Sequence, residues 1–371
     1  MAEHEHRKRS LIGRILVLLL ALMALAGLVA MALSIINPYM NPKDFIWTTV
    51  FGLAFWEIFL FNALVLLLLI LFRSRWAWVS VVALVISIPG VSKSFAFGFK
   101  SKAENSFKVM SYNVHYFSDI DTILSKEEFA DKVVELVREE TPDVLCCQEF
   151  IHFKPKLSRA QCIKDFADSI QLPYIYYNEK KNYGGNVVFS KYPLTKVSEE
   201  SGFGQENTYG VMVLVDAGEK GKFHVANVHL LSFAITNNEI DVLTKAPERQ
   251  NNLDTIGKSV LHKLNDAFQR RSDELEKVLV DMQFFDGPII VCGDFNETPM
   301  SYVHRQMRKA GFVDTFTKVG RGIAPTYAGR LPLLRIDYIW ANNQIKPLNF
   351  KRERFKASDH YPVLLEFSLQ Q

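Results

Sequence analysis

Nineteen consecutive residues, Ile15 to Leu33, carry no charged or polar side chain. That is the length a helix needs to cross a bilayer core about 30 Å thick. A second apolar stretch, Phe45 to Phe72, is interrupted only by Thr48, Thr49, Glu57 and Asn62, and a third, Trp76 to Ile88, ends at Pro89-Gly90. Trp76 and Trp78 suit the bilayer interface, where amphipathic rings meet headgroups. The sequence therefore predicts an all-α membrane region of three transmembrane helices, about 11–36, 45–72 and 75–91. A cleaved signal peptide is the other reading of the first run, given its basic start and Ala30-Met31-Ala32. The length of the run and the apolar segment that follows favour a retained helix. Glu57 is expected to face the helix bundle or lie near an interface, as an interhelical hydrogen bond.

Residues 1–99 hold eight Lys and Arg against four acids, whereas residues 100–371 hold 35 against 36. The first part is thus greasy and basic, and the second reads as a near-neutral soluble domain. An apolar fraction of 49% excludes disorder as the main state. Near-neutrality also argues against tight, non-specific duplex binding, which depends on many Lys and Arg contacts to phosphate. Arg7, Lys8, Arg9, Arg14, Arg73 and Arg75 would share one side of a three-span region, opposite Lys43, Lys93, Lys100 and Lys102. The positive-inside bias places the former in the cytoplasm. The expected location is a multi-pass inner or plasma membrane, with the soluble domain on the outer, periplasmic face. Were the third segment not to cross, that domain would be cytoplasmic. Cys146 and Cys147 are adjacent on an expected strand and so point to opposite faces. With Cys162 and Cys292 they form no zinc-type spacing.

After the region 1–92 and a polar linker at 93–106, the domain 107–371 alternates short β runs with helical patterns. Strands are expected at Phe107–Asn113, Asp143–Gln148, Tyr174–Tyr177, Gly185–Ser190, Tyr209–Asp216, Lys222–His229, Pro288–Cys292, Leu334–Ala341 and Tyr361–Ser368. Helices are expected at Lys126–Glu140, Gln161–Ile170, Leu253–Met282 and Tyr302–Ala310. The stretch 230–253 reads as a polar insertion. The charged helix after it reads as a solvated surface helix, with a substrate lid as the other possibility. Many strands with helices outside suggest two packed sheets flanked by helices.

Five polar clusters lie at strand ends: Asn113, Gln148-Glu149, Asn227-Val-His229, Gly293-Asp294-Phe-Asn296 and Ser358-Asp359-His360. Singly, each suits an ordinary turn. Asp337 is different, because it sits within Leu334-Arg-Ile-Asp-Tyr-Ile-Trp340. A carboxylate among apolar neighbours must be paired or functional. Acids, amides and two histidines at strand ends are what hard-metal phosphate chemistry requires. Carboxylates hold Mg²⁺, amides hold phosphate oxygens or water, and imidazoles donate to developing charge.

In this order, Ser-Tyr-Asn113, Gln-Glu149, Gly-Gly-Asn-Val-Val-Phe-Ser-Lys-Tyr-Pro193, Asn-Val-His229, Gly-Asp294-Phe-Asn296, Arg-Ile-Asp337-Tyr-Ile and Ser-Asp359-His360 resemble the endonuclease/exonuclease/phosphatase superfamily. The resemblance runs from about Phe107 to Leu369. It implies a four-layer α/β/β/α sandwich and a metal-dependent phosphoester (phosphodiester) hydrolase. Glu149 matches the principal Mg²⁺ ligand, with Asn113 beside it and Asp359 as a second metal-side carboxylate; Mn²⁺ or Ca²⁺ would be substitutes. Asp294 matches the residue that orients or deprotonates the attacking water, and Asn296 a phosphate or water ligand. His360, paired with Asp337, matches the imidazole on the scissile phosphate. His229 fits the branch with a histidine after this strand, which abasic-site endonucleases usually lack. Asn227, Tyr327 and Arg330 are expected substrate contacts, although the last two could simply shape their turn. The substrate class stays open among nucleic acid, lipid headgroup and small phosphodiester, with no protein partner expected. The alternative is a catalytically inactive, membrane-anchored scaffold of the same fold. The complete acid, amide and imidazole set argues against it.

Overall fold

The computed structural model describes residues 11–118, 123–177, 185–197, 209–233, 253–329, 333–355 and 357–370. The chain forms two compact units, one of residues up to Lys93 together with Met300–Tyr302, the other of Ser94–Pro299 and the residues from Val303 onward.

In the first unit the helix Leu11–Ile36 packs against Phe55–Leu71 and Ala77–Ile86. Leu20, Ala24, Val65 and Leu69 are buried at the seam, while Leu18, Leu22, Leu64 and Leu67 point outward. Among the described residues one continuous helix is long and apolar enough to span a membrane. The other two apolar segments are not single helices, as the sequence led us to expect. Ile46–Leu53 and Phe55–Leu71 meet at 64°, and Ala77–Ile86 and Ile88–Ser94 at 46°. The second break precedes Pro89, whose ring removes a donor and clashes with the preceding turn. The first falls at Ala54, where φ −88° and ψ 23° leave the helical region, and no proline marks it. Glu57 is exposed, so the expected interhelical bond is made elsewhere. Asn62, wholly buried, donates from Nδ2 to the Gly27 carbonyl at 3.1 Å. Gly27 is needed there, since a Cβ would press against the Asn62 amide.

The second unit contains fourteen strands among the described residues. They are β1 (Ala96–Phe97), β2 (Phe107–Asn113), β3 (Val144–Phe150), β4 (Tyr174–Tyr177), β5 (Gly185–Ser190), β6 (Leu194–Lys196), β7 (Gly210–Asp216), β8 (Lys222–His229), β9 (Ile289–Asp294), β10 (Val313–Asp314), β11 (Arg321–Gly322), β12 (Asp337–Ala341), β13 (Ile345–Arg352) and β14 (Val363–Leu369). One six-stranded sheet has the order β13-β14-β2-β3-β5-β4, the other β10-β12-β9-β8-β7-β6. Each is mostly antiparallel around one parallel pair, β2–β3 or β8–β9. Inner-face residues such as Val109, Cys146, Val213, Val225 and Cys292 form the core between the sheets. The outer face of the first sheet is covered by helices Lys126–Glu140 and Arg159–Ile170. Leu253–Met282 and Tyr302–Lys309 cover the second. Two packed sheets between helices are the α/β sandwich expected. Cys146 and Cys147 fall in different cores, as period-2 alternation requires.

Three expectations change. The linker is not plain coil: β1 pairs with β11, and Ser101 N donates to Leu348 O. The long charged helix buries a full stripe (Val260, Leu264, Phe268, Arg271, Leu275, Val278, Met282), so only its other face is solvated. Strand β13 was not anticipated. It carries Lys346-Pro347 and a register shift between Pro347 and Asn349, features of an edge strand.

Candidate active site

Both parallel pairs end at the same side of the sandwich, and the candidate residues gather there. In open α/β sheets this carboxyl end is where ligands are held. Register does much of the placing. Asp294 on β9 lies directly between His229 on β8 and Asp337 on β12, so three chemically capable side chains share one row and one face. Asn113 ends β2, beside Gln148 of β3. The loop before β14 brings in Ser358, Asp359 and His360; Ser358 Oγ donates to the Asn113 carbonyl at 2.8 Å and accepts from His360 N at 3.1 Å.

Local backbone is unusual at several of these positions. Gly293 has φ +138°, and a Cβ there would overlap the Val228 carbonyl of the neighbouring parallel strand. Glu149 has φ +55° at an irregularity between Cys147 and Phe150. A non-glycine residue in the left-handed region is strained and persists where surrounding structure imposes it. Asn296, at φ +52°, belongs to a type that tolerates that region.

Four carboxylates and three imidazoles converge. Asn113 Nδ2 donates to Glu149 Oε1 at 3.2 Å and to Asp294 Oδ2 at 3.1 Å, joining the two sheets at the site. His229 Nε2 lies 3.5 Å from Glu149 Oε1 and 3.7 Å from Asp294 Oδ2. His360 Nδ1 donates to Asp337, 2.9 Å from Oδ2 and 3.1 Å from Oδ1. His360 Nε2 faces Asp294 Oδ2 at 3.6 Å and Asp359 Oδ1 at 3.9 Å. Asn296 N donates to Asp294 Oδ1 at 2.9 Å, and Asn296 Nδ2 to the Leu230 carbonyl at 3.0 Å.

Burial of this much charge shifts its acidities. Desolvation pushes the Asp294 carboxyl up to about 6, Asp337 adding to the effect and His360 opposing it. Burial also raises the Glu149 carboxyl, against the Asn113 hydrogen bond and the charge of His360. For His360, burial favours the neutral ring, but the carboxylates of Asp337 and Asp294 outweigh it and hold the imidazole well above its ordinary value. The charged form of the ring is thereby favoured over the neutral one.

Tyr327 packs edge-on against the His360 ring at 5.7 Å and is bridged to it through the backbone. Burial and the nearby Asp359 push its hydroxyl up to about 12. Asn227, expected to touch substrate, is instead held inside the sandwich. It is fully buried between the sheets, where its amide donates to the Cys147 and Val187 carbonyls and accepts from Gln148 Nε2 at 2.7 Å. Arg330 lies outside the described residues, as does 234–252 of the expected insertion. Two site residues were missed by sequence reasoning. His115 and Tyr116 directly follow the Asn113 strand in left-handed backbone, φ 44° and 55°. His115 Nδ1 lies 3.6 Å from Asp359 Oδ1, and Tyr116 stands half-exposed in the field of Glu149 and Asp359. A third histidine two residues past Asn113 was the available signal.

A two-sheet sandwich with acids, amides and imidazoles at the ends of both parallel pairs defines a class in which phosphoester chemistry recurs. The chain belongs to the Endonuclease/Exonuclease/phosphatase family, whose model matches residues 110–360. Residues 13–94 match a second family model, that of a domain of unknown function, DUF8431. The chain is 25% identical over 287 residues to the uncharacterized protein YbhP of Escherichia coli (strain K12), covering 71% of this chain and 97% of that one. Among solved structures it is similar to an endonuclease/exonuclease/phosphatase from Beutenbergia cavernae DSM 12333 (17% identity, 71% and 72% of the two chains, TM-score 0.49). It is also similar to one from Bacteroides vulgatus (14% identity, 71% and 99%, TM-score 0.49).

Proposed function

We propose that the chain is a membrane-anchored, Mg²⁺-dependent phosphodiester hydrolase. One observation carries the reading. Glu149 Oε2 is buried without a hydrogen-bond partner among the described residues, beside Asp294 and opposite Asp359. An orphaned carboxylate oxygen among neighbouring acids fits a hard cation, which takes oxygen ligands. Glu149, Asn113 and Asp359 would hold it. Asp294, Asp337 and His360 also bring ligand-type atoms within 4.8 Å of one another, but there the Asp337 carboxylate is already hydrogen-bonded to His360 Nδ1, whereas the Glu149 oxygen has no such partner. When bound, the cation supplies charge that polarises a phosphate oxygen.

The chain's own groups account for the rest. Asp294, fixed by Asn296 N and Asn113 Nδ2, orients a water for in-line attack and accepts its proton; an acidity near 6 suits a base at neutral pH. His360, as the imidazolium, donates from Nε2 to the phosphate and offsets the charge that builds there. His229, across the row from Asp294, protonates the leaving oxygen, and Asn296 and Tyr327 line the phosphate position.

The apolar Leu11–Ile36 helix anchors the chain, and the two bent helix pairs complete a three-pass region with the catalytic unit on the outer face. A reporter fused after Gln371 should then be active outside the cytoplasm and one at Arg73–Arg75 inside. Activity is tested with the full chain in detergent and Mg²⁺, against a nucleic acid, a phosphoinositide, sphingomyelin and bis-p-nitrophenyl phosphate. Hydrolysis of at least one, abolished by EDTA, is expected. Undiminished turnover in excess EDTA would overturn the metal reading.

A further inference from the structure

The long helix Leu253–Met282 places one arginine within its buried apolar stripe. Arg271 is 0% exposed, with its guanidinium against the rings of Phe233 (4.0 Å to the centroid) and Phe268 (4.8 Å). Its Nε donates to Glu297 Oε1 at 2.8 Å, one residue past Asn296, and its Nη1 to the Leu231 carbonyl at 3.2 Å. One turn further, Glu274 Oε2 accepts from Leu231 N at 2.9 Å. Residues three apart share a helix face, so the two side chains grip both polar groups of the Leu231 backbone.

Leu230 is gripped from the other side. Its N–H donates to the Asp294 carbonyl at 3.0 Å and its carbonyl accepts from Asn296 Nδ2 at 3.0 Å. His229 N in turn donates to the Tyr209 carbonyl at 2.6 Å. The backbone is therefore tied at His229 and at both residues after it, and the Asn296 amide is oriented by the same segment.

We propose that Arg271 and Glu274 are positioning residues. By clamping Leu231 from the helix they fix His229 and Asn296 in the geometry the reaction needs. Stability alone is a poor reason for this arginine. A buried ion pair is often no more stabilising than well-packed apolar side chains of its size. Here Nη2 has no hydrogen-bond partner among the described residues. A methionine would continue the apolar stripe. What the guanidinium reaches instead is the backbone after His229 and the carboxylate after Asn296.

The kinetic arm of the test rests on the hydrolase reading above; the exchange arm does not. With the full, metal-free chain, amide hydrogen exchange of the segment 229–233 should be about tenfold faster in Arg271→Gln and Glu274→Ala than in wild type, because opening becomes local. With Mg²⁺ and bis-p-nitrophenyl phosphate, both variants should lose kcat by about 10–100-fold, the scale of a small misplacement, with KM little changed. Arg271→Lys should recover part of that loss. The double variant Arg271→Met/Glu297→Gln should melt close to wild type yet stay deficient in kcat, which separates positioning from packing. Unchanged exchange at 229–233, or wild-type kcat in the double variant, would overturn the proposal. A wild-type chain inert toward every phosphoester would instead remove the hydrolase reading, and exchange alone would then decide the clamp.

Discussion

His360 Nδ1 lies 2.9 Å from Asp337 Oδ2, although the two residues are 23 apart in sequence. Both are almost wholly buried. Thr326 Oγ1 accepts from the Asp337 and Ile336 amides, fixing the start of that strand. The buried aspartate is thus paired, as the cost of an isolated buried charge demands, and the imidazole's other nitrogen is aimed at Asp294 and Asp359.

The pair should behave as one unit in catalysis. Asp337→Asn keeps the shape but removes the anion that sustains the imidazolium, so kcat should fall by about 10²-fold or more with little change in KM. The double variant Asp337→Asn/His360→Ala should be scarcely slower than His360→Ala alone. Strictly multiplicative losses in steady-state kinetics would mean that the residues act independently.

Asp294 gives the metal-free protein a definite pH signature. Its carboxyl is raised from 3.8 to about 6, chiefly by burial. The folded state therefore binds this proton more tightly than the unfolded state. The resulting stability is fully present below pH 3.8 and is lost as pH rises through about 6. Asp294→Asn does not titrate. Relative to wild type it should gain up to about 3 kcal/mol between pH 4 and pH 8, read as a rising difference in Tm. A difference that is flat with pH, or falls, would contradict the raised acidity.

Glu149 is where cation binding and stability should meet. A ligand that binds only the folded state stabilises by about 2.7 kcal/mol at 100 times its Kd. Saturating Mg²⁺ should therefore raise the Tm of wild type by several degrees. Glu149→Gln keeps the volume and loses the charge, and its Tm should be almost insensitive to Mg²⁺. Equal Mg²⁺ responses in the two proteins would place the cation elsewhere.

Which parts of this were legible in the sequence follows from how local their causes are. Lys126–Glu140 was readable end to end because Ser125 and Glu128 form a capping box and its apolar face has helical spacing. Glu149 and Asp294 were readable because they close apolar strands, and Asp337 because it breaks an apolar run in the sequence, although the strand there begins only at Asp337 itself. The Asp294 row across β8, β9 and β12 was not, since register between distant strands leaves no local trace. Asn227 looked like a site residue because His229, two residues on, lies beside the site acids, while the sheet-to-sheet bond to Gln148 can be seen only in three dimensions. The charged helix misled because Lys, Arg, Asp and Glu recur along its whole length, and one of them, Arg271, lies within the buried stripe. The bend at Ala54 has no proline to announce it. Left-handed backbone at His115 and Tyr116 involves residue types that give no warning of it.

Gly293 offers a test of the scaffold separate from the chemistry. It precedes Asp294 on β9 with φ +138°, in parallel register with Val228 of β8. An L side chain is disfavoured at that φ whatever the space available, and here a Cβ would also overlap the Val228 carbonyl. Neither cause can relax cheaply, because both strands are central and β9 is buried throughout. Gly293→Ala should therefore destabilise by about 3 kcal/mol or more, combining backbone strain with displacement of a packed strand. Gly218 has φ +61° with nothing within 4 Å of an added Cβ, so Gly218→Ala should cost only about 1–2 kcal/mol, for strain alone. Parallel urea melts would compare the two. A Gly293→Ala protein as stable as Gly218→Ala would show that the β8–β9 strands can separate at the site, and the row that aligns His229, Asp294 and Asp337 would then not be rigidly set by register.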